Sequence, residues 1–316
     1  MRAIRIGRCI YCKTANPPLG REHMIAAGLN GPWTLQEASC RRCADITLAF
    51  EGHVLGPVLR PARAGLKMHM TKPRPTTLPL VIDKGSGAWT SVDVPVDRYP
   101  AIAMFLEYPP PAYLDGRPYA SGVSVCGQRT VQVAGPPAEE VARDLGAKRV
   151  QWTTSFLGQS FERLIAKIAY TFLVADVGLE GIETAYVLPA ILGEVDDIGR
   201  WVGCDGMEYI TDPRFLHGVM IQVVDGDVIA RVRLFVNSRT PEYVVVVGRL
   251  APNAVVDKFV AVGPEGITRR RSLTDVLADA ELAPAPFLPS SGSLSVQVVK
   301  SSRWEAPKAE RRSGVE

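Results

Sequence analysis

Apolar side chains recur along this chain at two periods, and the switch between them sorts it into elements. From Phe161, apolar residues follow at Leu164, Ile165, Ile168, Ala169 and Phe172, which predicts an amphipathic helix. Ile46, Ala49, Phe50, Val54 and Leu55 predict a second helix from about Arg42 to about Leu55, weakened by Gly52 and stopped by Pro57. Shorter helices are expected from Pro136-Pro137 to about Gly146 and from Ile182 to Leu192, the latter interrupted by Pro189. Between them lie short β-like runs: Glu22 to Ala27, Thr34-Leu35, Leu80 to Ile82, Val92 to Val96, Ala101 to Leu106, Thr130 to Ala134 and Arg149 to Thr153. Leu216 to Val224 and Val228 to Val236 flank Asp225-Gly226-Asp227 and predict a β-hairpin, extended by Tyr243 to Leu250 and Val255 to Val262.

These elements predict an α+β protein: a small N-terminal module at 1–58, then a larger mixed α+β domain with antiparallel sheet at 80–265. Residues 59–79, punctuated by Pro61, Pro73, Pro75 and Pro79, are expected as a basic extended linker or arm. Residues 266–316 are expected to be largely disordered, with one short helix near Leu273 to Leu282.

Composition sharpens this division. In 316 residues, 47% apolar, there is material for a sizeable core but no apolar run of the ~20 residues that span a bilayer. The N-terminus has no apolar stretch with a small-residue cleavage site, so the expectation is a cytoplasmic chain with no membrane partner. Net charge is only +3, yet residues 1–75 carry twelve Lys/Arg against four Asp/Glu. A basic excess confined to one segment is either the footprint of a phosphate-backbone partner or an ordinary solvated face. Arg41, Arg42, Arg60, Arg63, Lys67, Lys72 and Arg74 are the candidate phosphate contacts.

The same segment holds four of the six cysteines, as Cys9-Ile-Tyr-Cys12 and Cys40-Arg-Arg-Cys43 with 27 residues between the knuckles. Two such knuckles supply the four soft ligands of a tetrahedral zinc site. In a chain with no export signal this pattern favours a structural Zn2+ over disulfides. Cys126 and Cys204 are isolated and are expected as buried free thiols, and His69 and His217 as structural or surface residues.

Inside the loop that the knuckles close lies Arg21-Glu22-His23-Met24-Ile25, followed by Gly28-Leu29-Asn30-Gly31 and then Ala38-Ser39-Cys40-Arg-Arg-Cys43-Ala44. An acid-His pair, a Gly-containing turn and a knuckle that opens a helix resemble the HNH endonuclease family, in its zinc-stapled branch. The resemblance covers about a fifth of the chain, residues 9–55. It implies a ββα-metal fold with separate structural and catalytic ions, in an enzyme hydrolysing the phosphodiester bonds of DNA. By the family pattern His23 would be the general base that activates water, and Glu22 would bind a catalytic Mg2+ or similar ion. The sequence departs from the pattern at Ala44, where the family usually places a second metal ligand. Glu51 is the expected substitute, about 20° away around the helix and ~10 Å further along. His53 points to the opposite face and Asp45 is about 100° off. The alternative is a zinc-stapled scaffold that binds nucleic acid without cutting it, with Ala44 marking the loss; a third is a zinc-stapled interaction protein unrelated to nucleic acid.

Overall fold

The structure is a computed structural model that describes residues 4–119, 121–206, 211, 215–254, 258–262, 268–271 and 293–299. In chain order the front of the molecule is β1 (Ile4–Arg5), β2 (Leu19–His23), β3 (Thr34–Cys40) and α1 (Arg41–His53), then a widened helical turn (Val54–Val58) and α2 (Arg60–Gly65). The middle comprises β4 (Thr77–Asp83), β5 (Trp89–Pro95), β6 (Ala101–Glu107), α3 (Ala112–Asp115), β7 (Gly127–Ala134), α4 (Ala138–Asp144), β8 (Arg149–Leu157) and α5 (Ser160–Val177). The remainder comprises β9 (Ile182–Ala185), α6 (Leu188–Leu192), α7 (Ile198–Trp201), β10 (Val202–Cys204), β11 (His217–Val224), β12 (Asp227–Leu234), β13 (Glu242–Leu250), β14 (Lys258–Val262), β15 (Thr268–Arg271) and β16 (Ser293–Val299).

The chain is mixed α+β with antiparallel sheets, as its patterning predicts. At the front β2 pairs antiparallel with β3, and β1 pairs parallel with β3 on the other side. The largest sheet runs β10-β13-β12-β11-β14-β15 with β9 also on β13, all antiparallel. A four-stranded sheet runs β16-β8-β4-β5, and β6 pairs with β7. The predicted hairpin is β11–β12, turning at Asp225-Gly226, both with positive φ. No described helix is long and apolar enough to cross a membrane.

The front module is not a separate body. One apolar core runs from Cys9, Ile10, Tyr11, Leu35 and Phe50 through α5 into Tyr243 and Val245 of the large sheet. A second, smaller core lies under the four-stranded sheet, around Leu80, Ile82, Val150 and Val141. Helix α5, expected to be amphipathic, is buried from Ser160 to Val174. Several of its polar residues meet polar or aromatic groups there. Arg163 donates from Nε to the carbonyl of Ile191 (3.0 Å) and lies 5.1 Å over the Phe50 ring. Glu162 sits beside Tyr108, and its carboxyl is pushed up to about 7, first by burial and against the pull of that hydroxyl.

Four expectations need correction. Residues 59–79 are not an extended arm: α2 begins at Arg60, Ala62, Ala64 and Met68 are buried, and β4 starts at Thr77. Pro61 starts this helix rather than breaking it, because a proline in the first turn gives up no intrahelical hydrogen bond. Pro189 does the same for α6, so Ile182 to Leu192 splits into edge strand β9 and a short helix. Cys126 is exposed, whereas Cys204 is buried as expected. Within 266–316, expected to be largely disordered, Thr268–Arg271 and Ser293–Val299 form strands, and the helix expected near 273–282 lies outside the described residues.

His217 fastens the front module to the large sheet. Its ring is fully buried, with Nε2 2.9 Å from the Leu29 carbonyl and Nδ1 accepting from the Phe235 amide at 3.2 Å. Burial pushes it down to about 4, against the pull of the Leu29 carbonyl. The unfolded chain therefore binds this proton more readily, and the stabilisation is complete above the ordinary imidazole value and drains as pH falls toward 4. Glu162 has the opposite sign: its folded value is raised, so stability drains as pH rises from the ordinary carboxylate value through about 7. In urea unfolding, His217→Phe should cost roughly 1–3 kcal/mol at pH 7.5 through its unpaired partners, with the gap to wild type closing below pH 5. Glu162→Gln should gain on wild type as pH rises. Gaps independent of pH in both variants contradict this account.

Candidate metal centre and the carboxylate pair behind it

Each knuckle lies where the local backbone turns sharply. Cys9 and Cys12 occupy a tight turn after β1, held by Lys13 N–H to the Cys9 carbonyl and by Cys9 N–H to the Thr14 carbonyl, both 2.8 Å. Cys40 is the last residue of β3 and Cys43 lies in the first turn of α1. The register of β2 on β3 sets Leu19 opposite Cys40, and the Ile10 N–H donating to the Ala38 carbonyl (2.8 Å) holds the first knuckle against the end of β3. The four Sγ atoms lie within 4.8 Å of one another, with Cys12 and Cys40 3.6 Å apart. A tetrahedron of sulfurs ~2.3 Å from a zinc ion has edges of about 3.8 Å, so these four residues can hold a metal ion such as zinc. The Cys9 thiol is pushed down to about 4, first by a hydrogen bond from Cys43 and, against burial, by the backbone amides of Cys12, Cys40 and Tyr11. Amides aimed at a sulfur stabilise the thiolate a metal requires.

Behind this cluster the acid-His pair and Glu51 meet. Residues Cys43, Ile46, Thr47, Phe50 and Glu51 form the buried stripe of α1, so Glu51 faces the interior toward β2. Glu22 is likewise buried on β2. Between them stands the ammonium of Lys167, from the middle of α5. Its Nζ is 2.8 Å from Glu22 Oε1 and 2.9 Å from Glu51 Oε1, and it donates to the backbone carbonyl of His23. The lysine side chain has 0% exposure, and those of Glu22 and Glu51 have 6% and 11%. The spacing that nominated Glu51 as the partner of Glu22 thus does bring the two carboxylates together, around a side chain the sequence reading passed over. Burial works against the Lys167 charge, but the two carboxylates outweigh it and hold the ammonium protonated above its ordinary range. Burial pushes Glu51 up, and Lys167 pulls it back.

His23 is half-buried, and its Nδ1 is enclosed without a hydrogen-bond partner. Its imidazole is pushed down first by burial and then by the Lys167 charge, which keeps it neutral at neutral pH. Ala44, half-buried, offers no ligand atom, and His53 is half-buried with its Nδ1 unpartnered.

The expected phosphate contacts separate into different roles. Arg63 is consumed inside the protein: Nε and Nη1 donate to the carbonyls of Gly28 and Leu55 (2.7 Å each) and Nη2 to that of His69 (2.6 Å). The Gly28–Gly31 turn beneath it is tight, since a Cβ on Gly31 would sit 2.0 Å from the Ile25 carbonyl oxygen. Arg74 donates to the carbonyls of Lys67 (2.8 Å) and Met68 (3.1 Å). Arg41 is exposed and pairs with Asp45 at 2.9 Å, one turn on. Arg60 is exposed at the lining of a cavity below α2. Arg42, Lys67 and Lys72 are exposed, and their side chains have no acidic partner among the described residues.

Missed by the sequence reading were the anchors on one face of α5. Lys167, Tyr170 and Thr171, at i, i+3 and i+4, reach the carbonyls of His23, Ile10 (2.5 Å) and Met24 (3.2 Å) respectively. The signal was present: Lys167 falls on the apolar face, three residues after Leu164.

Comparison with models of protein families, with curated proteins and with solved structures finds no match in any of the three.

Removing Lys167 alone leaves two buried carboxylates uncompensated, a change that typically costs about 3–5 kcal/mol. Lys167→Met should fall by that order in urea unfolding at pH 7.5, and the triple variant with Glu22→Gln and Glu51→Gln should recover most of the loss. If the triple variant is no more stable than the single one, the three groups are not an electrostatic unit.

Proposed function

We propose that this chain is a zinc-stapled nucleic-acid-binding protein with an HNH-like scaffold, whose own lysine fills the place where a nuclease of that type would hold its catalytic cation. The observation that carries the reading is the Lys167 ammonium between Glu22 and Glu51. A hard divalent ion takes carboxylate oxygens as ligands. With both carboxylates turned inward and neutralised by an internal cation, an added Mg2+ meets neither free charge nor an open coordination site. The ββα assignment rests on the β2–β3 hairpin leading directly into α1, with Cys40 and Cys43 at the junction.

In this reading the four cysteines hold one Zn2+, which fixes the 9–12 turn against the start of α1 and supplies no step of a reaction. The basic excess of residues 1–75 supports a phosphate-backbone partner. With Arg63, Arg74 and Arg41 engaged elsewhere, the contacts are assigned to Arg42, Lys67 and Lys72, which would hold DNA without reading its sequence.

One observation favours a second reading, metal-dependent DNA hydrolysis with His23 as base: the imidazole is held neutral and is partly open. Plasmid assays separate the two. Supercoiled plasmid with Mg2+ or Mn2+ should stay intact. Cleavage that disappears in His23→Ala would replace the binding reading with the hydrolytic one. Under the binding reading, duplex DNA should be retained at low salt and released as salt rises, with Arg42→Gln/Lys67→Gln/Lys72→Gln weakened about tenfold or more. Salt-insensitive or absent retention counts against any phosphate-binding surface. The purified protein should carry one zinc per chain, lost in Cys9→Ser or Cys40→Ser together with a large drop in thermal stability.

A further inference from the structure

A cavity of about 480 Å3 opens between the helical turn after α1 and the four-stranded sheet. That volume lies within the range of small-molecule sites. Its floor is apolar and buried: Val58 from the turn, Leu78 from β4, Met104 from β6 and Trp152 from β8. Its exposed rim includes Arg60, from the start of α2, and Thr153. Arg60 is the one charged residue among those lining it, and no acidic side chain contributes. The Arg60 guanidinium has no acidic partner among the described residues. Trp152 is 7% exposed, and its indole Nε1 is enclosed without a hydrogen-bond partner.

We propose that this cavity binds an amphiphilic organic anion, with an apolar body against Trp152 and Met104 and a single carboxylate or sulfonate paired with Arg60. Charge complementarity selects the class. A lone cation at the mouth of an acid-free apolar cavity favours an anion over a cation or a neutral ligand of the same shape. The apolar body gains by leaving water, and the anion keeps partial solvation at the rim, so the pair forms without full burial of either charge. The site is distinct from the cysteine cluster and the Lys167 triad, and none of its lining residues belongs to either.

The probe is 8-anilinonaphthalene-1-sulfonate, an aromatic body with one sulfonate, titrated into the full chain and followed by its emission and by calorimetry. One saturable site is expected. Decanoate should displace the dye, and decanol should do so roughly tenfold less well. Arg60→Gln, a surface change that leaves both cores intact, should weaken dye binding roughly five- to tenfold. Met104→Trp, which fills the floor, should abolish it, with far-ultraviolet circular dichroism confirming the fold. Equal affinity in wild type and Arg60→Gln, equal displacement by decanoate and decanol, several equivalent weak sites, or no binding at all would each overturn the assignment.

Discussion

A lysine ammonium taken wholly out of water between two carboxylates organises the front of this protein. Each of these charges costs several kcal/mol to bury, and the cost is offset only when the geometry is right for all of them together. Lys167 faces Glu22, Glu51 and the His23 carbonyl at once. That requirement fixes α5 against β2 and α1 more tightly than apolar packing would, because methyl groups tolerate a slide and a shared ammonium does not. Tyr170 and Thr171 lie on the same face of the helix and hold two further carbonyls, so the rotation of α5 is set as well as its depth. The partner of Glu22 lies far downstream in sequence. The ββ hairpin and α1 consequently share one core with α5.

The metal cluster and the lysine act at opposite ends of the same hairpin and solve different problems. Near Cys40 the chain joins a strand end, a helix start and a turn, packed by Ile10, Leu35, Ala38 and Ile46, and the four cysteines that could hold a metal ion meet at that junction. Near His23 the chain has an acidic pair to neutralise. His217 adds a third tie, from the large sheet to the Leu29 carbonyl. Two of the twelve basic residues of the front segment are structural in the same way. Arg63 and Arg74 satisfy backbone carbonyls around the 28–31 turn and the 67–69 loop, a use of arginine that composition counts as surface charge but that leaves less of it for a partner.

What the sequence made legible follows from local physics. The four cysteines at knuckle spacing, the period-3.6 stripes of α1 and α5 and the Asp225-Gly226 hairpin are each written in a short window, and the structure has them with ends shifted by a few residues. The 100° geometry of a helix was enough to place Glu51 on the side of Glu22. What it could not supply is the identity of the group between them, because Lys167 contributes through a tertiary contact. Proline punctuation misled twice for a related reason. Pro61 and Pro189 break a helix if they fall inside it and start one if they fall in its first turn, and only packing decides which.

In the proposed reading, Ala44 and Lys167 are two halves of one arrangement. A catalytic cation site of the family's pattern would balance the charge of its acidic ligands with a divalent ion. With Ala44 where the family pattern has its second ligand, such coordination would be weaker while Glu22 and Glu51 remain, and Glu51, pushed up first by burial, is pushed further by the Glu22 charge. A covalently attached ammonium removes that repulsion at neutral pH with no dependence on metal supply. It also adds to the burial that keeps His23 neutral, since Lys167 lies near enough to disfavour the imidazolium. The arrangement is then self-consistent without a second ion: the acids need the lysine, the lysine needs both acids, and the histidine beside them is left neutral, its carbonyl spent on the same ammonium.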